Sequence, residues 1–343
     1  MTNRGPDNGA YLVPASSDAM VDGPALVAEA HVELARHFAA ASRSSATQRV
    51  YRGCLERWLT YCGSQSVPAG PLATPPAAAA PLVIAAWLAQ LAAAGKSHST
   101  VVQHRAALAF AHRAAGVPDA TDHPSVAAVV DGIARTYGIA PRRQAPAVAP
   151  SAVRAMLAAC DATAVGLRDA ALIAIWWAAA LRSAEPAQLR ICDVLQVEDG
   201  AVVYLRRSKS DQAGRGTTIP IRRGTETEHI ARWVDLACRD AARRGLDPET
   251  RPLFFDLRSG AALSPAACSA VVQRRAWRAG VALTGHSLRA GWATEAARRG
   301  VAFLLIQRHL RHKHASTTAR YVRRGQLWED APPTLLETDA SRV

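Results

Sequence analysis

A chain of 343 residues is long for one hydrophobic core, so two domains are expected. Its 41 Lys and Arg against 28 Asp and Glu leave a net charge of +13, which favours an anionic partner such as nucleic acid, and no polybasic amphipathic helix beside an apolar anchor points to a membrane. Six cysteines stand singly without a Cys-x-x-Cys pair, so neither a zinc site nor a disulfide framework is indicated, and they read as small core residues in a reducing compartment.

Residues 1–22 mix Gly, Pro, Asn, Ser and Asp without periodicity and read as disordered, with no apolar segment of a signal peptide. A helical domain is expected over residues 23–138. Helical spacing runs from Pro24 to Ala40, and Ser44 or Ser45 can cap a next helix with Val50, Cys54, Leu55 and Trp58 on its apolar face. Pro68, Pro71, Pro75, Pro76 and Pro81 mark a connection that ends where an alanine-rich helix begins. That run is broken by Pro81 and Gln90 and is no membrane span. The next helix, capped by Ser99 or Thr100, carries Gln103, His104 and Arg105 on a polar face, and a helix around Val126 closes the domain. Three prolines among few large apolar side chains make residues 139–150 a linker, with the basic pair Arg142 and Arg143 inside it.

From residue 151 to 325 the periodicity is mainly helical, interrupted by a β-hairpin whose Gly-containing turn carries Lys209. The expected fold class is therefore mostly α: an all-helical N-terminal domain, then a mixed domain of helices with a small antiparallel sheet. Several polar residues in this second domain stand where chemistry is possible. Arg182 ends a long apolar helical run, with Glu185 three residues on; His286 and Arg289 share one helix face; His312 precedes Tyr321 by nine residues, on a further helix. Taken singly, Arg182 reads as a helix-end cation, Lys209 as a hairpin lysine and Tyr321 as an amphipathic core residue. Together they suit a phosphodiester, whose developing negative charge is matched by planar arginine donors.

In its ordered set of Arg, Lys, His-x-x-Arg, His and Tyr, the chain resembles the tyrosine recombinase, or phage integrase, family, most of all its Cre-type and Xer-type members, over roughly residues 40–325. The resemblance implies a SAM-like core-binding domain followed by a catalytic domain. It implies that Arg182 and Arg289 hold the scissile phosphate, that Lys209 protonates the leaving 5′ oxygen, and that His286 serves the tyrosine proton. His312 would hydrogen-bond the phosphate, Glu185 would orient its neighbours, and Tyr321 would attack phosphorus to give a 3′-phosphotyrosyl link. Lys96, Thr100, Gln103 and Arg105, with Arg142 and Arg143, would contact the DNA backbone. Many members carry Gly before the histidine at 312; Arg311 stands there instead, which leaves the close packing of that turn open.

The implied activity is site-specific recombination by a homotetramer on two double-stranded DNA sites, in the cytoplasm with the nucleoid. No metal or other cofactor is expected, because the cations supply the field and the phosphotyrosyl bond conserves the energy. Two other readings use the same scaffold: a type IB topoisomerase-like nicking-closing enzyme and a catalytically silent DNA-binding protein. After Gly325, the tail 326–343 carries Leu327, Trp328, Leu335 and Leu336 around the proline pair Pro332 and Pro333, and is expected to dock on a neighbouring subunit.

Overall fold

A computed structural model describes residues 44–140, 147–208, 211, 214–281, 283 and 286–325. They fall into two compact units, divided between Arg143 and Gln144. The expected disordered start, the first helix, the basic pair Arg142 and Arg143, Lys209 and the tail 326–343 lie outside the described residues.

In the N-terminal unit four helices surround one core: α1 (Ser45–Gln65), α2 (Pro81–Ala93), α3 (His98–Ala114) and α4 (Pro124–Tyr137). The Ser44 hydroxyl accepts the Thr47 N–H at 3.2 Å and starts α1. Cys54, Leu55, Trp58 and Cys62 are buried along α1, and Trp58 meets Trp87 of α2 edge-on at 5.0 Å. Val50, expected on this face, is exposed. The buried stripe starts instead at Tyr51, whose ring packs on Phe110 at 5.6 Å, and Val50 sits roughly 100° of helix rotation from its middle. Two further expectations change in α3. Its cap is Ser97, whose hydroxyl accepts the Thr100 N–H, in place of Ser99 or Thr100. His104 leaves the polar face for the core, where its ring lies 5.4 Å from Trp87 and its Nδ1 meets the Thr100 carbonyl at 2.8 Å.

The C-terminal unit is built around α6 (Ala164–Ala178), which is buried along its whole second half. Around it pack α5 (Pro150–Ala158), α7 (Thr225–Arg243), α8 (Pro265–Arg278) and α9 (Ser287–Arg298); α10 (Phe303–Leu310) and α11 (Ala315–Gly325) follow. The expected hairpin is present as β2 (Gly200–Leu205) and β3 (Thr217–Arg222), and β1 (Val194–Val197) adds a third antiparallel strand in the order β1-β2-β3. Val203 pairs with Val194 on one side and Ile219 on the other, all three buried. Strand β1 escaped the sequence pattern because only its first residue is buried, so no alternation marks it. The six cysteines are free: Cys54, Cys62 and Cys268 are buried and Cys160 and Cys238 half-buried, but Cys192 is exposed, in a single 3-10 turn leading into β1.

Two contacts set where the helices can meet. Val148, inside the stretch expected as linker, is buried, and its N–H donates to the Ser287 carbonyl at 3.4 Å. Gly291 lies beneath it in α9, so close that an added Cβ would meet the Val148 carbonyl and come 2.9 Å from the Trp177 ring. Gly291→Ala should therefore overpack this contact and destabilise the C-terminal unit by about 1–3 kcal/mol. Amide exchange in the full-length chain should quicken across α9 and residues 147–150 while α2 and α3 keep wild-type protection. Wild-type exchange across α9 would show that the neighbours simply move aside.

Candidate active site

The end of α6 delivers the first arginine. The chain turns back after Ala178 through Ala180, which takes the left-handed value φ 45°, and the Trp176 indole N–H fixes the turn on the Leu181 carbonyl at 3.0 Å. Arg182 follows directly. Its backbone N–H donates to Glu185 Oε2 at 2.7 Å and its Nη1 to Oε1 at 2.9 Å, while its Nη2 reaches the Arg311 carbonyl at 3.0 Å. Glu185 is only 3% exposed, so these bonds compensate a carboxylate taken almost wholly out of water.

The second arginine comes from α9. Arg289 is 2% exposed, and its terminal nitrogens are held by backbone carbonyls: Nη1 by Ala180 at 2.6 Å and Nη2 by Leu310. Burial, with Arg182 and Arg311 nearby, pulls its pKa down to about 9.

His286 stands at the N-cap position of α9 without a side-chain capping bond, and its Nε2 lies 3.3 Å from the Tyr321 hydroxyl on α11. Desolvation first, then Arg289 and Arg182, lower the His286 pKa, although part of the ring meets solvent. The neutral imidazole so favoured can accept a phenol proton. His312 stacks on the Tyr321 ring at 5.9 Å and 19°, and its Nδ1 lies 2.9 Å from the hydroxyl of buried Thr318. Burial and then Arg289, Arg182 and Arg311 push its pKa to about 4. Helix α11 reaches this position because Gly325 lets it lie on α9; a Cβ there would stand 2.5 Å from the Thr294 carbonyl and 2.6 Å from the Ala297 methyl.

Of the expected site residues, Arg182, Glu185, His286, Arg289, His312 and Tyr321 thus converge, whereas Lys209 lies outside the described residues. The expected DNA contacts on and before α3 are in the other unit. Lys96 and Gln103 are exposed, the Thr100 hydroxyl is 2.9 Å from that of Ser97, and Arg105 is engaged with the Thr121 carbonyl and Asp122 at 3.0 Å each. Two further residues belong to the site: His309, which gave no signal in sequence, and Arg311, which stood out only as a departure from glycine. His309 stacks on Trp292 at 4.0 Å with Nε2 2.8 Å from the Ala178 carbonyl, and Arg311 packs its side chain into the same turn.

The sequence model described as the phage integrase family matches residues 147–326. An integrase/recombinase xerD homolog from Selenomonas ruminantium is 29% identical over 287 residues, covering 80% of this chain and 79% of its own. Recombinase cre of Escherichia phage P1 is 25% identical over 262 residues, 69% of this chain and 74% of its own. Among solved structures, a lambda integrase dimer bound to a COC′ core site has a TM-score of 0.53 at 17% identity, over 90% of this chain and 80% of the other, a likeness of fold.

Because His309 and His312 hold folded pKa values of about 4, below the ordinary value near 6.5, the folded chain binds fewer protons than the unfolded chain between those limits. Stability should fall as pH drops from about 6.5 to 4, and their imidazole NMR signals should stay at neutral positions at pH 5.5. Signals passing their midpoint near pH 6.5 would mean the rings are solvated.

Proposed function

The chain belongs to the phage integrase family, and we propose that it is a site-specific DNA recombinase that cuts and rejoins double-stranded DNA through Tyr321. The observation that carries this reading is the Tyr321 hydroxyl 3.3 Å from His286 Nε2, beside the arginines at 182 and 289. The relatives named as recombinases and the DNA-bound integrase of like fold support it.

In the proposed reaction a phosphodiester enters between Arg182 and Arg289, which bind its non-bridging oxygens and stabilise the charge that grows on them. A free phenol has a pKa near 10 and needs help to attack at neutral pH. His286 accepts the Tyr321 proton as the Tyr321 oxygen bonds to phosphorus and the bond to the 5′ oxygen breaks. Lys209 gives that oxygen a proton, and His312 donates a hydrogen bond to the phosphate. Because the phosphotyrosyl link keeps the energy of the broken bond, a different 5′ hydroxyl can reverse the steps and complete strand transfer. A homotetramer on two DNA sites is the assembly this exchange calls for, with residues 23–138 as the core-binding domain and 151–325 as the catalytic one. In the proposed complex Lys96, Thr100, Gln103, Arg105, Arg142 and Arg143 would line the DNA backbone.

On a nicked suicide substrate, Tyr321→Phe should form no covalent adduct while DNA binding stays close to wild type. Arg182→Ala and Arg289→Ala should each slow adduct formation on the order of 100-fold. A normal adduct yield from the phenylalanine variant, or arginine variants within a few-fold of wild type, would remove these residues from the chemistry.

Lys209 is separable by its leaving group. Lys209→Ala should slow cleavage of an ordinary phosphodiester but be restored when the bridging 5′ oxygen is sulfur, since a thiolate leaves without a proton. Equal defects on both substrates would assign the lysine to binding alone.

A further inference from the structure

The turn between α10 and α11 holds an arginine in a conformation that favours glycine. Arg311 has φ 55° and ψ 41°, where a side chain crowds its own backbone. Its side chain is 5% exposed, and its Nε has no hydrogen-bond partner among the described residues. Left-handed backbone and a buried cation both cost free energy, and such outliers gather where a site needs a fixed arrangement.

What the side chain gains is a set of acceptors shared with the other two arginines. Arg311 Nη2 donates to Glu185 Oε2 at 2.8 Å and to the Ala180 carbonyl at 3.1 Å, and its Nη1 donates to the carbonyls of Ala179 at 3.0 Å and His309 at 2.9 Å. Glu185 is the carboxylate that holds Arg182, and the Ala180 carbonyl is the one that holds Arg289 Nη1. Arg182 closes the circuit by donating to the Arg311 carbonyl. A planar guanidinium can span these acceptors at once, which the point charge of a lysine cannot.

We propose that Arg311 is a positioning residue that ties Arg182 and Arg289 into one rigid unit, through Glu185 and the Ala180 carbonyl, at the separation that grips a phosphate. The proposal rests on the reading of those two arginines as phosphate-holding residues. Arg311 touches neither the phosphate nor Tyr321 in this account; it acts by holding those that do. Arginine at this place thus does through its side chain what a glycine turn would leave to the backbone.

The test compares full-length Arg311→Gly, which relieves the backbone, with Arg311→Lys, which keeps the charge but not the fork. Adduct formation is timed on a nicked substrate carrying either a normal scissile phosphate or a methylphosphonate, whose missing charge leaves the arginine pair less to hold. Both variants should bind DNA within about threefold of wild type but react about 10- to 100-fold more slowly on the phosphate, and within a few-fold of wild type on the methylphosphonate. Equal losses on the two substrates, rates like wild type on both, or loss of native helicity in both variants would assign Arg311 to the fold and overturn the proposal. Amide exchange at residues 179–185 reads the tie without any chemistry and should quicken in both variants; unchanged exchange overturns the tie on its own. A wild type that forms no adduct defeats the functional reading of the site, whereas the exchange result still decides whether the tie exists.

Discussion

One buried carboxylate joins two of the arginines of the site, Arg182 and Arg311. Glu185 accepts from the Arg182 backbone, the Arg182 side chain and the Arg311 side chain, so one carboxylate compensates two guanidinium groups at once. Removing one partner of such a buried pair commonly costs about 3–5 kcal/mol, because the other charge is left stranded. Arg289 leans instead on the dipoles of two backbone carbonyls, those of Ala180 and Leu310. Burial first, and then the neighbouring guanidinium groups of Arg182 and Arg311, lower its pKa, with Glu185 as the opposing charge.

The architecture converts this electrostatic need into geometry with a few close approaches. Trp176 pins the turn after α6 from inside the core, which sets Arg182 beside the buried Glu185 at the helix end. Gly291 and Gly325 remove the side chains that would hold α9 away from Val148 and α11 away from α9. Left-handed residues at Ala180 and Arg311 then bring two helix ends face to face, so their carbonyls converge on the arginines. Tyr321 on α11 stacks on His312 of the turn that precedes this helix, and its hydroxyl faces His286 at the start of α9. Tyr321 and His286 are thus brought together from separate helices whose close approach Gly325 permits.

Much of this was legible in the sequence, for stated reasons. Residue types of fixed chemistry at helical spacing located Arg182, Glu185, His286, Arg289, His312 and Tyr321, and the alternation around Val203 located the hairpin. Strand β1 was hidden because three of its four residues face outward. His104 was misplaced because periodicity treats histidine as polar, while Trp87 offered it an aromatic edge and the Thr100 carbonyl a hydrogen-bond partner. Arg311 was visible only as a missing glycine. A sequence shows that a turn has acquired a bulky residue but not which carbonyls the side chain will find, since those come from residues about 130 positions upstream, at Ala179 and Ala180.

The central claim is that this cation cluster serves one covalent step at one phenol. Mass spectrometry of the wild-type protein trapped on a nicked DNA substrate, after nuclease and trypsin digestion, tests it most directly. The account predicts a nucleotide linked through its 3′-phosphate to the peptide that runs from Tyr321 to Arg323. An adduct on any other residue, or DNA bound tightly with no adduct at all, would contradict it.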